Sequence, residues 1–341
     1  MKKASTYVIC LAITILLISC KNDTKKTAIK VATKNHLPSF NNVQSRDNII
    51  AFVEKITDST SDEYVAPKDR IACFDNDGTL WVEQPLPSQL FFAFDKIKAM
   101  AKNHPEWKTE MPFKAVIEDD LEAMKTFHST DIIKLVGTAH ASQNIETLTQ
   151  EFQDWVQTAQ HPVLKKPYTA LVYQPMLELL DYLRAHQFKI YIVSGGSQEF
   201  MRAWAPNVYG IPEENIIGTT FKTKVVGEGD SLSVAQTPEF EFYDDHEGKI
   251  ISINKYIGKK PIMVVGNSDG DLEMMEYSTT NNPLPHFMLY IKHTDRQREF
   301  DYAKGVAAGA LIKGDSIAKA KGWTIIDMKQ DWNVVFPHQN N

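Results

Sequence analysis

Two carboxylates two residues apart, Asp75 and Asp77, follow the apolar run Ile71-Ala72-Cys73-Phe74 and precede Gly78-Thr79. Such a run reads as a buried strand, and the carboxyl end of a strand is where open α/β sheets bind ligands. Charges at the end of a buried strand are costly without partners. A pair at this spacing can hold a hard cation while one carboxylate attacks an electrophile and the other moves a proton. The competing reading is a plain Asn-Asp-Gly turn without chemistry.

Three more clusters sit at comparable junctions. Ile192-Val193-Ser194-Gly195-Gly196-Ser197 is an apolar run ending in a hydroxyl and two glycines. Backbone N–H groups there can approach an anion, so Ser194 and Gly195 are candidates for a phosphate cradle; a simple glycine turn is the alternative. Val265-Gly266-Asn267-Ser268-Asp269-Gly270-Asp271-Leu272 is again an apolar run closing in an acidic turn before a helix. Magnesium takes oxygen ligands and keeps several waters, so Asn267 and Asp271 could serve beside Asp75 and the carbonyl of Asp77. Alternatively, Asp269 or Asp271 only caps the helix. Lys249, in Asp244-Asp245-His246-Glu247-Gly248-Lys249-Ile250, is a weak signal alone, and His246 reads as a loop histidine.

The elements needed to bring these clusters together are legible as periodicity. Ile49, Ile50, Phe52, Val53 and Ile56 predict a helix over residues 46–57. Strands are expected at 71–74, 189–193, 215–221, 262–265, 287–291 and 324–327, with helices around 175–186 and from 271. Residues 222–248 read as a hairpin or loop excursion. From 87 to 166 the spacing is helical throughout, marked by Leu90, Phe94, Phe127, Leu148, Phe152 and Trp155. Alternating strands and helices imply an α/β chain with a mostly parallel sheet, interrupted by a helical insertion.

In chain order, the clusters at 75–80, 194–197, 249 and 267–271 resemble the four motifs of the haloacid dehalogenase superfamily, beginning with its Asp-x-Asp-Gly-Thr. Ser-Gly-Gly is closest to the phosphoserine phosphatase branch. The resemblance covers about residues 70–80 and 170–275. It implies a Rossmann-like core in segments 46–86 and 168–330, a helical cap domain over 87–167, and a tail at 331–341. It also implies a nucleophile at Asp75, an acid/base at Asp77, and a phosphate-neutralising Lys249. Mg2+ would be held by Asp75, Asp77, Asn267 and Asp271. Dehalogenases of the superfamily lack the second acid and its ion pumps carry Thr there, so Asp77 favours a phosphohydrolase. The chain departs from the branch at Asn267, where Asp is usual, leaving the third protein ligand open between Asn267, Asp269 and Asp271. Glu83 resembles a nearby glutamate that accepts a substrate ammonium, one residue further along in that branch; a solvated loop acid is the alternative.

Composition sets the outer limits. The 341 residues carry a net charge of −6, which loss of Lys2 and Lys3 would take to −8, so there is no basic footprint for nucleic acid. Lys2 and Lys3 precede an apolar stretch of twelve residues, 7–18, too short for a comfortable membrane span. Leu17-Ile18-Ser19-Cys20 resembles a bacterial lipobox, implying a signal peptide at 1–19, acylation of Cys20, and a polar tether over 20–45. The membrane would then be met only through lipid, in a bacterial cell envelope, with Lys21 leaning toward the outer membrane. The expectation is a Mg-dependent phosphomonoester hydrolase acting through an aspartyl-phosphate on small extracytoplasmic phosphomonoesters. The rivals are a phosphoserine phosphatase proper and a non-catalytic lipoprotein that binds a phosphorylated ligand.

Overall fold

Continuous apolar runs can satisfy their backbone and bury both faces only inside a covered parallel sheet. The computed structural model, which describes residues 36–124, 126–142, 144–302, 306 and 308–340, builds that sheet. Its strands are β1 (Ile71–Phe74), β2 (Lys189–Ser197), β3 (Ile216–Val226), β4 (Ser233–Phe242), β5 (Met263–Gly266), β6 (Phe287–Lys292) and β7 (Thr324–Asp327). They lie in the order β4-β3-β2-β1-β5-β6-β7. All pairs are parallel except β3–β4. β1 is central, with Ala72 opposite Ile190 on one side and Met263 on the other.

Alternate residues of each strand enter different cores. Ala72, Phe74, Ile192, Met263 and Val265 pack with Ile49, Val53 and Ile56 of α1 (Gln44–Thr57). Ile71, Cys73, Val193 and Val264 face the opposite layer, with Ile253, Met274 and Met275. The result is a three-layer α/β fold, as the strand and helix alternation predicts. Cys73 is buried within β1.

Over residues 87–167 the described residues form helices and no strand: α2 (Ser88–Met100), α3 (Phe113–Ile117), α4 (Leu121–Met124), α5 (Ser129–His140) and α6 (Ile145–Thr158). Phe92 of α2 binds this block to the sheet layer, its ring 4.7 Å from that of Phe152 and 6.1 Å from that of Phe200. The other attachment is the β3–β4 hairpin, which occupies most of the excursion at 222–248. Ser142 pairs with Gln236 of β4, and Gln236 Nε2 donates to the His140 carbonyl at 2.9 Å.

The remaining helices return the chain to the sheet: α7 (Gln174–Ala185), α8 (Gln198–Tyr209), α9 (Glu247–Ser252), α10 (Leu272–Thr279), α11 (Lys313–Lys321) and α12 (Met328–Asp331). Two expected boundaries need correction. Trp332, Val335 and Phe336 are buried, so 331–341 is no loose tail; apolar side chains at i, i+3 and i+4 close the core beside Phe40 and Tyr173. Leu37 and Phe40 are buried too, and the Ser39 hydroxyl donates to Glu178 at 2.6 Å, so the tether's last residues lie on the body. The expected signal peptide and Cys20 lie outside the described residues.

Candidate active site

The carboxyl ends of β1, β2 and β5 converge because β1 lies between the other two, and each carries one sequence cluster. The chain leaves β1 through a tight turn. The Asn76 carbonyl accepts from the amides of Thr79 (3.1 Å) and Leu80 (2.8 Å), and the Gly78 amide donates to the Trp81 carbonyl at 2.9 Å. Gly78 has φ +73°, and an added Cβ would lie 2.1 Å from Asn267 Nδ2. Only glycine meets both conditions. At the end of β5, a Cβ on Gly266 would lie 2.4 Å from the Asp271 carboxyl carbon, so glycine lets that side chain fold back.

Lys249, 1% exposed, ties the clusters together. Its Nζ donates to Asp75 Oδ1 at 2.9 Å and to Asp271 Oδ1 at 2.6 Å. Burial pulls the ammonium pKa down, but the charges of Asp271, Asp75 and Asp245 outweigh this and hold it well above its ordinary value. Burial pushes the Asp75 carboxyl up; Lys249 opposes the rise, while Asp271 and Asp77 add to it. Asp77 is raised to about 6, chiefly by burial, against a hydrogen bond from Trp81 Nε1 to its Oδ1 at 2.9 Å. Trp81 is itself fixed by stacking on Trp204 at 4.0 Å.

Asp75, Asp77, Ser194, Gly195 and Lys249 line one cavity of about 320 Å³. Glu83, Gln89, Tyr243, Asp245, His246 and the turn at 268–270 complete its wall. The Ser194 hydroxyl accepts from the Gly196 amide at 3.2 Å, and Gln89 Oε1 accepts from the Ser197 amide at 2.8 Å. The arrangement offers a nucleophilic carboxylate, a second acid on the same turn, a lysine and a hydroxyl beside exposed backbone.

The three candidates for the third metal ligand make different contacts. Asp269 accepts from the amides of Ile312, Lys313 and Gly314 at 3.0, 3.1 and 2.7 Å, capping α11. Asp271 gives Oδ1 to Lys249, while Oδ2 accepts from the amides of Asn267 (2.9 Å) and Ser268 (3.0 Å). Asp271, expected among the ligands, is engaged by the lysine through Oδ1 and by two amides through Oδ2, and so orients Lys249. Asn267 Oδ1 accepts from Thr79 Oγ1 at 3.0 Å, and its Nδ2 donates to Glu83 Oε2 at 3.2 Å. Among the described residues no three acidic, imidazole or thiol side chains form a ready cage. Magnesium does not require one, since it usually keeps several waters and binds through one or two carboxylates. The donors here are all hard oxygens. Asp75, Asp77, Glu83 and Asp245 line the cavity with Lys249, and Asp271 holds the lysine from behind; a divalent cation suits that excess of carboxylates.

A model of haloacid dehalogenase-like hydrolases matches residues 72–276, more than half of the chain. The chain belongs to that family. As a haloacid dehalogenase-like hydrolase it shares its fold with a conserved protein of unknown function from Anaerococcus prevotii DSM 20548, at 16% identity and a TM-score of 0.54 over 85% of this chain and 94% of that one. More distant similarity extends to a protein of unknown function from Bordetella pertussis Tohama I, with 14% identity, TM-score 0.47, and 76% and 98% of the two chains covered. A phosphoserine phosphohydrolase-like protein from Francisella tularensis subsp. tularensis SCHU S4 shows 17% identity, TM-score 0.35, and 65% and 87% coverage. No curated protein matches the chain.

Sequence reading missed part of the hydrolase site. Trp81 holds Asp77 from four residues away, and Tyr209 donates to Asn76 Oδ1 at 3.3 Å. His293 Nε2 donates to the Gly78 carbonyl at 2.8 Å, its Nδ1 lies 3.0 Å from Glu299 Oε2, and Tyr173 donates to Glu299 Oε1. The available signal for His293 was its position just past the apolar run of β6, at the same sheet edge as Asp75.

Proposed function

We propose that the chain is a Mg2+-dependent phosphomonoester hydrolase that works through an aspartyl-phosphate on small extracytoplasmic substrates. The observation that carries this is Lys249 fastened to Asp75 on the wall of a cavity that also presents Asp77 and Ser194. An Asp75 oxygen attacks phosphorus as the ester P–O bond breaks, and Asp77 gives its proton to the leaving alkoxide. Asp77 then takes a proton from water, whose oxygen attacks phosphorus. The P–O bond to Asp75 breaks, releasing inorganic phosphate and the free carboxylate. Lys249, the Ser194 hydroxyl and the Gly195 amide stabilise the non-bridging oxygens. Asp75, the Asp77 carbonyl and Asn267 would hold the magnesium, which supplies further positive charge to those oxygens.

A cavity of about 320 Å³ suits a small ester. The segment ending at Cys20 supports a lipid-anchored protein of the bacterial envelope, with the outer membrane favoured by Lys21. No helix among the described residues is long and apolar enough to cross a membrane. The neutral Asn267 favours a second reading, a phosphate-ligand binder that does not turn over. Release of p-nitrophenol from p-nitrophenyl phosphate separates the two. We expect turnover that chelation abolishes and added Mg2+ restores; binding without release at any metal concentration would refute the hydrolase.

A further prediction arises at Asp77. Trp81→Phe keeps an aromatic ring against Trp204 and removes the donor to the carboxylate. A hydrogen bond to a charged group contributes about 1.5–3 kcal/mol, so loss of part of it should lower kcat roughly tenfold. Steady-state kinetics should show KM unchanged, because Trp81 is fully buried and does not line the cavity.

A further inference from the structure

Glu83 has no place in the mechanism above, yet it is buried, only 6% exposed, and lines the catalytic cavity. It is set between two glycines: a Cβ on Gly78 would lie 2.8 Å from its Oε2, and one on Gly309 would lie 2.0 Å from it. The side chain is thus inserted behind the catalytic turn, packed closely against glycine backbone on both sides. Asn267 Nδ2 donates to its Oε2 at 3.2 Å, and the Tyr302 hydroxyl acts on the same carboxylate. Asn267 is also the member of the acidic turn proposed above as the cation's third protein ligand, since Asp269 caps α11 and Asp271 holds Lys249.

We propose that Glu83 is the anionic partner of the cation site, supplying the charge that the neutral Asn267 lacks. By accepting from Nδ2 it fixes the orientation of the amide, with Oδ1 turned away from Glu83, and its carboxylate would act on the bound cation as a charge outside the direct ligands. This is an outer-sphere role, compatible with the lack of a three-carboxylate cage among the described residues. It replaces the expectation that Glu83 receives a substrate ammonium: a carboxylate in contact with the metal-facing amide is placed for the ion. The inference rests on the proposed cation dependence, not on which ester is hydrolysed.

The test reads metal binding directly, with Mn2+ as a paramagnetic probe for Mg2+ and the full-length chain in mild detergent. Electron paramagnetic resonance of free Mn2+ gives the dissociation constant without substrate. Outer-shell partners of metal ligands are worth about 10–100-fold in affinity, so Glu83→Gln should weaken binding by at least tenfold. Asn267→Asp alone should tighten it. In the Asn267→Asp background, Glu83→Gln should have less than about threefold effect, because residue 267 then carries the charge itself and repels Glu83. Glu83→Gln within about threefold of wild type in the native background would overturn the proposal, as would an equal loss in both backgrounds. A rise in KM confined to amine-bearing esters, with Mn2+ affinity intact, would return Glu83 to the substrate. Should the wild-type chain itself fail to bind Mn2+, the cation reading of the site falls with it; intact binding with unaffected Glu83→Gln sinks this inference alone.

Discussion

Asp75→Asn should lower turnover of p-nitrophenyl phosphate by about 10⁴-fold or more and at the same time raise the stability of the cation-free protein. The first effect follows from removing the atom that bonds to phosphorus; loss of a nucleophile that acts as part of a unit removes most of the acceleration. The second follows from electrostatics. Burial and the neighbouring Asp271 and Asp77 raise the Asp75 carboxyl above its unfolded value of 3.8, so its ionised form is disfavoured in the folded chain. A group raised in this way destabilises the fold increasingly as pH climbs above the unfolded pKa. A neutral amide of the same shape escapes that penalty and still accepts from Lys249. Thermal unfolding at neutral pH in a chelating buffer should therefore show a higher midpoint than wild type. Asp77→Asn differs: it keeps the nucleophile but impairs both proton transfers by roughly 10²–10⁴-fold. With a leaving group that departs without protonation, the first step survives and hydrolysis stalls. The phosphorylated enzyme should then accumulate, visible as one phosphoryl group added to the intact mass and removed by hydroxylamine. Full activity in Asp75→Ala would end the covalent mechanism.

What the sequence made legible follows the range of the interactions involved. β1 could be bounded because a strand buried on both faces is a local apolar run, and the strand order then carried Asp75, Ser194 and Asn267 to one edge. The roles of Asp269 and Asp271 could not be divided in the same way. Both are acids two residues apart on one turn, and what separates them is contact with α11, whose first residue lies forty-four positions on, and with Lys249, twenty-two positions back. Glu83 was found by spacing, but its neighbour Asn267 is 184 residues away in sequence. The tail failed for a different reason. Trp332, Val335 and Phe336 form too short a pattern for periodicity to separate from chance, and only Phe40 and Tyr173 show what they bury against.

Lys249 is where stability and chemistry are most strongly joined, so its removal should affect both. Lys249→Met matches the aliphatic stem in volume and withdraws the ammonium from between Asp75 and Asp271, which are 7% and 0% exposed. Taking one partner from a buried ion pair leaves an uncompensated charge, and the usual loss is about 3–5 kcal/mol. Asp271 has a partial refuge in the amides of Asn267 and Ser268; Asp75 has none but protonation. Urea unfolding in a chelating buffer should show the loss in full. Adding Mg2+ should recover more stability in Lys249→Met than in wild type, because a more negative site binds the cation more tightly and an ion bound only by the folded state stabilises it. Asp271→Asn in the same background should return part of the loss by removing one of the two stranded charges, a non-additivity expected of groups in one network. Independent, additive losses would mean that lysine and aspartate do not act on each other as their 2.6 Å separation requires. Turnover should nonetheless stay low in the double variant, since no cation then faces the phosphoryl oxygens from the protein side. Recovery of stability without recovery of kcat is the signature that separates holding Asp75 in place from stabilising the transferred group.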